Sequence, residues 1–295
     1  MALVLSGTFT ALVTPFAPDG SLDLPALARH VEWQIESGVN GLVPCGSTGE
    51  AATLSHEEHV RVVRHVVEVT AKRVPVVAGT GSNSTREAIE LTSAARAAGA
   101  DGALLISPYY NKPTQEGIFQ HYRTVAQETQ LPIVVYNIPG RTASRIEPET
   151  IARLSHVPGV VGLKESGGDL EATAATILAS AREFSVVSGD DALTLPMLAI
   201  GGRGVISTVS NIAPRAMAEL VRHFAAGDLA HARRLHFELL PIIQALFIET
   251  NPIPVKTALA ILGRIPNAKL RLPLTEMAKK NRDRLEAALA ELPRA

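Results

Sequence analysis

Val160-Val161-Gly162-Leu163-Lys164, followed by Glu165-Ser166-Gly167-Gly168, is a continuous apolar run that ends on a lone amine and a polar, glycine-bearing turn. A strand with one wet face alternates apolar and polar residues, whereas an unbroken run fits a strand covered on both faces, as in a parallel sheet. Lys164 stands where that strand leaves the core. Burial disfavours an ammonium ion, so a lysine in this position can act as a neutral nucleophile and form an imine with a ketone. Taken alone, the segment favours the plainer reading of a lysine reaching solvent or a carboxylate.

Working outward, the same kind of run recurs at Thr8–Val13, Gly41–Pro44, Val74–Ala78, Gly102–Ile106, Pro132–Tyr136, Phe184–Val187 and Gly204–Ser207, which with Val160–Lys164 makes eight. Segments of helical period separate them. Leu24, Leu27, Val31 and Ile35 share one face before Gly38, and Ser55/Glu58 and Ser84/Glu87 have the spacing of capping boxes. Eight strand–helix units close into a (β/α)8 TIM barrel. An open doubly wound sheet would more often carry a Gly-rich loop after its first strand, where this chain has Thr14-Pro15-Phe16. After about Gly227 the strands stop. Helical patterns at Leu229–Leu246, Pro254–Leu262 and Thr275–Leu292 then predict a C-terminal helical extension, dividing the chain into a barrel over residues 1–226 and an extension over 227–295.

The chain has 295 residues, 46% of them hydrophobic, and a net charge of −1, which supplies a large core and no electrostatic case for nucleic acid or an anionic membrane. Its only cysteine is Cys45, so an intrachain disulfide and a Cys-rich zinc site are excluded, and a reducing cytoplasm is the expected compartment. The start, Met1 to Thr8, lacks the basic segment of a signal peptide, and no stretch reaches the roughly 18 apolar residues of a membrane span.

Parallel barrels carry their chemistry at the C-terminal ends of the strands. Thr14 follows the first run, Gly46-Ser47-Thr48-Gly49-Glu50 the second, Ser107-Pro108-Tyr109-Tyr110-Asn111 the fourth, Tyr136 to Thr142 the fifth, Lys164 the sixth, and Ser188-Gly189-Asp190-Asp191 the seventh. Hydroxyls, tyrosines, Arg141 and one lysine therefore converge on one rim. No histidine falls there, which argues against a catalytic metal; Asp190 and Asp191 are the only pair on which one could rest. Gly201-Gly202-Arg203-Gly204 precedes the eighth strand and reads as a tight turn on the opposite face. The Gly46–Gly49 amides and hydroxyls suit a carboxylate, and Tyr136 with Tyr110 near Lys164 would form a proton shuttle for imine chemistry.

These motifs together resemble the dihydrodipicolinate synthase and N-acetylneuraminate lyase family. The resemblance runs in order from Gly7–Phe16 through the Gly-Ser-Thr-Gly-Glu loop, Tyr136–Thr142 and Gly162–Glu165 to Asn251-Pro252-Ile253-Pro254-Val255-Lys256. It implies a lyase that condenses pyruvate with aspartate semialdehyde on the diaminopimelate route to lysine, without a cofactor beyond the covalent imine on Lys164. Tyr136 would move protons through Ser47 and Tyr110, Ser47 and Thr48 would hold the pyruvate carboxylate, and Arg141 would hold that of the aldehyde. The backbone carbonyls of Gly189 and Ile206 would also face the site.

The Ser47-Thr48 pair matches the lyase branch, where synthases usually have Thr-Thr. Arg141, Ser107–Pro113 and Ser188–Asp191 match the synthases. A lyase or dehydratase acting on a sialic acid or keto-deoxy sugar acid is the alternative, and a non-catalytic lysine-binding barrel is a third. The resemblance further implies a homo-oligomer, commonly a homotetramer built as a dimer of dimers, in which Tyr110 reaches a neighbouring subunit. Ala52, Leu54, His56, His59, Asn83, Glu87 and Tyr109 match positions that bind lysine as an allosteric feedback inhibitor; Ala51 stands where that pocket often has serine. Glu87 has a competing explanation, completion of its own capping box.

Overall fold

In the computed structural model, which describes residues 3–292, every predicted strand forms within a few residues of its expected place. They are β1 (Gly7–Ala11), β2 (Gly41–Val43), β3 (Val77–Gly79), β4 (Gly102–Ile106), β5 (Ile133–Asn137), β6 (Val160–Glu165), β7 (Ser185–Ser188) and β8 (Gly204–Ser207). The sheet order is β2-β1-β8-β7-β6-β5-β4-β3, and a parallel bridge between Leu42 and Val76 joins its two ends. This is the (β/α)8 barrel. All strand pairs are parallel, and the burial of most strand residues accounts for their unbroken apolar runs.

The helices are α1 (Leu24–Glu36), α2 (His56–Thr70), α3 (Thr85–Ala97), α4 (Gln115–Thr129), α5 (Pro139–Thr142), α6 (Pro148–Ser155), α7 (Leu170–Ala179), α8 (Thr194–Ala199), α9 (Pro214–Ala225), α10 (Leu229–Leu246), α11 (Ile253–Ile261) and α12 (Lys279–Ala290). Among these residues no helix is long and apolar enough to cross a membrane. Met1 and Ala2, which begin the apolar N-terminal stretch Met1 to Thr8, lie outside the described residues.

Two helix starts differ from the sequence reading. Ser55 and Glu58 form a reciprocal capping box at α2. At α3 only half of the box forms: Ser84 Oγ accepts from Glu87 N, but the Glu87 carboxylate turns to His56 and Ser82, and Ser84 N donates to Ser82 Oγ instead. The last helix begins at Lys279 rather than Thr275, with Ala278 extended before it; Ala278 N and Asn281 Nδ2 both donate to Glu249 Oε1, which sets the entry.

The barrel interior is filled by Phe9, Val43, Val77, Leu104, Val134, Val187 and their neighbours. A second apolar cluster joins Val13, Val205 and Val209 to α9, α10, α11 and Leu285 and Leu289 of α12. The C-terminal helices thus pack on the first and eighth strands, beside the rim that carries the polar strand ends.

Candidate active site

Tyr136 and Lys164 are register partners on the paired strands β5 and β6, so both reach the rim at the same height. Lys164 Nζ lies 4.2 Å from the centroid of the Tyr136 ring, and each residue is 6% exposed. Among the described residues, Lys164 forms no ion pair with a carboxylate. Its sequence neighbour Glu165 is engaged elsewhere: it accepts from Asn137 Nδ2 at 2.9 Å and Gly167 N at 2.5 Å, and burial holds its carboxyl above the usual range. Gly189, just past β7, makes room for the lysine stem. A Cβ there would fall 2.7 Å from Lys164 Cε and 2.0 Å from Ser166 Oγ, so no side chain fits.

Lys164, Tyr136 and Gly189 share a small cavity of about 50 Å³ with Ser47, Thr48 and Arg141. The Gly46–Gly49 loop is a bend in backbone space, entered by Cys45 at φ 56° and left by Glu50 at φ 54°. Left-handed conformations of this kind are strained in residues with a Cβ and persist only where the surroundings fix them. Here they are fixed from both sides. Gly79 lies so close beneath the loop that a Cβ would approach the Cys45 carbonyl oxygen to 2.2 Å, and Thr14 Oγ1 donates to Gly49 O at 2.7 Å.

Glu50 completes that anchoring through partners distant in sequence. Its carboxylate accepts from Lys256 Nζ at 2.6 Å and from Arg271 N at 3.1 Å, and Lys256 Nζ also donates to Thr14 O at 2.9 Å. The side chains of both Lys256 and Glu50 are fully buried. Burial lowers the Lys256 pKa to about 8, with the Glu50 charge opposing the shift. Asn251 extends the same connection to the cavity: its Nδ2 donates to Thr48 Oγ1 at 2.9 Å, and its backbone carbonyl accepts from Arg141 Nη2 at 3.1 Å. One residue of the helical extension therefore touches both anion-binding candidates. These partners lie 203 and 110 residues away along the chain, and no local pattern announces them.

Arg141 is carried by α5, whose start is set by Pro139 in the first turn. The residue is exposed at the mouth of the cavity and keeps most of its donors free. Tyr110 is not brought to Lys164 within one chain: it is 88% exposed, at φ 70°, on a loop that points it away from the body. Ile206 also lies off the cavity wall. It is register partner to Phe9 in the barrel interior, and Thr208 lines the cavity in its place.

Asp190 and Asp191, the one rim pair whose chemistry suits a metal, act as backbone acceptors. Asp190 Oδ1 accepts from Ala192 N, and Asp191 Oδ2 accepts from Thr208 N and Val209 N. Burial raises the Asp191 pKa to about 6.

A second cavity, about 260 Å³, adjoins the first through Gly46, Ser47, Leu104 and Tyr136. Ala52, Leu54, His56, His59, Glu87 and Tyr109 line it, as does Ala51; Asn83 contributes its backbone carbonyl to Asn111 Nδ2 instead. His56 Nε2 lies 2.9 Å from Glu87 Oε1, and hydrogen bonds from Ser82 and then His56 hold the Glu87 carboxyl below its ordinary range. His59 Nε2 sits 2.7 Å from Gly79 O, and burial lowers its pKa.

Comparison with known proteins agrees with this geometry. The model of the dihydrodipicolinate synthetase family matches residues 4–292. A 4-hydroxy-tetrahydrodipicolinate synthase of Nitratidesulfovibrio vulgaris (strain DP4) is 56% identical over 286 residues, 97% of each chain. The crystal structure of the chloride-inhibited dihydrodipicolinate synthase from Acinetobacter baumannii complexed with pyruvate is 46% identical with a TM-score of 0.95, covering 97% of this chain and 98% of that one. The enzyme from Cyanidioschyzon merolae, solved with lysine bound, is 39% identical with a TM-score of 0.95, covering 98% of each chain.

Proposed function

The chain belongs to the dihydrodipicolinate synthetase family, and on that premise we infer that it is an enzyme condensing pyruvate with aspartate 4-semialdehyde to give 4-hydroxy-tetrahydrodipicolinate. The observation that carries the reading is a buried lysine amine held against a tyrosine ring, with no competing carboxylate among the described residues, beside a hydroxyl-lined loop and an exposed arginine.

The Lys164 amine adds to the C2 ketone of pyruvate, and loss of that oxygen as water leaves the imine. Loss of a C3 proton gives the enamine, whose C3 attacks the aldehyde carbon of the semialdehyde, forming the new C–C bond as the aldehyde oxygen takes up a proton. The amine of the bound semialdehyde then attacks C2, closing the ring and releasing Lys164. Tyr136, whose ring lies against the amine, is the proton carrier. Ser47 and Thr48 receive the pyruvate carboxylate, the latter oriented by Asn251, and the planar fork of Arg141 receives the carboxylate of the semialdehyde. The exposed Tyr110 joins the relay from a neighbouring subunit, which makes an oligomer, and by resemblance a dimer of dimers, the active form. Gly189 is the backbone contributor to the same site.

Incubation with pyruvate and borohydride tests the imine: one pyruvyl adduct per chain is expected and is lost in Lys164→Ala. Absence of an adduct in the parent protein would falsify the mechanism. Ser47 favours a second reading, cleavage of a sialic or keto-deoxy sugar acid; turnover of such acids in preference to the semialdehyde would establish it. The second cavity is the candidate site for lysine, with the Glu87 carboxylate facing the ligand's ammonium group. A rate that stays flat against lysine up to millimolar concentration removes that assignment.

A further inference from the structure

The turn between α9 and α10 gathers three metal-ligating groups that the reaction does not use. His223 lies in the last turn of α9, Asp228 caps the start of α10, and His231 stands in its first turn. The Nδ1 atoms of the two imidazoles are 3.1 Å and 3.3 Å from the same oxygen, Asp228 Oδ2, and all three ligand atoms lie within 4.8 Å of one another. Metal–ligand bonds of about 2.0–2.1 Å place the ligands of a tetrahedral ion about 3.3–3.4 Å apart, so the two nitrogen–oxygen separations already have nearly the length of tetrahedron edges.

The backbone fixes this arrangement. Gly227 at φ 80° turns the chain, Asp228 N donates to His223 O at 2.9 Å, and Asp228 Oδ1 accepts from His231 N at 3.2 Å. The two carboxylate oxygens thus have separate tasks: Oδ1 caps the helix while Oδ2 faces both rings. The rings are stacked, with centroids 4.4 Å apart and planes 10° from parallel, so modest χ2 rotations are needed to turn both lone pairs onto one ion. All three side chains are partly open to solvent, which leaves an entry path and room for water as the fourth ligand. Because α9 follows β8 and runs back along the barrel, its C-terminal end lies at the face opposite Lys164.

We propose that His223, Asp228 and His231 form a binding site for a divalent transition-metal ion of the Zn2+ type, at the end of the barrel remote from the catalytic rim. Imidazole nitrogen with a single carboxylate oxygen suits that class and disfavours Mg2+ and Ca2+, which take oxygen ligands.

The test is calorimetric titration of the chelator-treated full-length protein with ZnCl2. One saturable site per chain is expected, with affinity falling at least about tenfold in His231→Gln and in Asp228→Asn. Asparagine caps a helix nearly as well as aspartate, so the second variant keeps the fold while weakening the ligand. With Co2+ the parent protein, and not His231→Gln, should develop the visible absorption of a four-coordinate nitrogen–oxygen site. Binding that is unaltered in both variants but lost in His56→Ala would put the ion at the other exposed His–carboxylate pair and overturn the assignment, as would the lack of saturable binding.

Discussion

Lys164 and Lys256 are both buried, and both hold Nζ 4.2 Å from the centroid of an aromatic ring, Tyr136 in one case and Phe16 in the other. They differ in everything else around the nitrogen. Lys256 is enclosed by the Glu50 carboxylate and the Thr14 carbonyl, whereas Lys164 faces a cavity and has no ionic partner among the described residues. Burial by itself therefore does not make a lysine reactive. An amine committed to a carboxylate and a carbonyl is structural; one held by packing and left facing a pocket can add to a ketone.

The largest expected contrast separates the two directly. Lys164→Ala should lose the borohydride-trapped adduct and lower turnover on the order of 10⁴-fold or more, with little change in the unfolding midpoint. Lys256→Met should keep the adduct on Lys164 but destabilise the fold by about 3–5 kcal/mol, because it strands the Glu50 charge in the interior. Adding Glu50→Gln to Lys256→Met should restore much of that loss in denaturant unfolding. An adduct on Lys256 in the parent protein, found by peptide mass mapping, would break the comparison.

Asn251→Ala probes the bridge between the regions. Removing its amide frees Thr48 Oγ1, a loss of about 1–1.5 kcal/mol, so KM for pyruvate should rise about tenfold while the adduct still forms. An unchanged KM would show that Thr48 holds its position without help.

Acid should weaken the Lys256 side through Glu58. Arg271 packs over the same Phe16 ring, and its guanidinium hydrogen-bonds lower the Glu58 pKa from 4.5 to about 2. The folded state thus holds fewer protons than the unfolded one in that window. The contribution is complete above about pH 4.5 and is lost as pH falls towards 2; solvent screening limits it to about 1–2 kcal/mol. Glu58→Gln should flatten stability against pH over that range, measured by thermal melts. The smallest effect is expected for Ser47→Thr. The added methyl restricts the hydroxyl rotamer and should change kcat by less than about threefold, under 1 kcal/mol.

The barrel was legible because each strand is an unbroken apolar run followed by polar residues, a pattern set by two-sided burial and therefore readable one segment at a time. Tyr136, Ser47, Thr48, Gly189 and Lys164 were legible for the same reason, since each ends or closely follows such a run. Glu87 was legible through the resemblance alone: the Ser84/Glu87 spacing equally fits a capping box, and the proximity of His56 and Ser82 draws its carboxylate into the second cavity. Tyr110 reads in sequence as a rim residue like Tyr136, but a left-handed backbone and an exposed loop carry it outward.

The sequence alone determined that eight covered strands form, that a lysine stands at the C-terminal end of the sixth, and that hydroxyls and Arg141 share its rim, because periodicity and strand-end polarity are local properties. Tertiary structure decided which buried lysine is free. Glu50 meets Lys256 across 206 residues, and Asn251 meets Thr48 across 203, when the C-terminal helices fold back onto the first and eighth strands. The physical reason is that a buried charge is defined by its partners, and those partners are assembled only when the barrel closes and the extension packs against it.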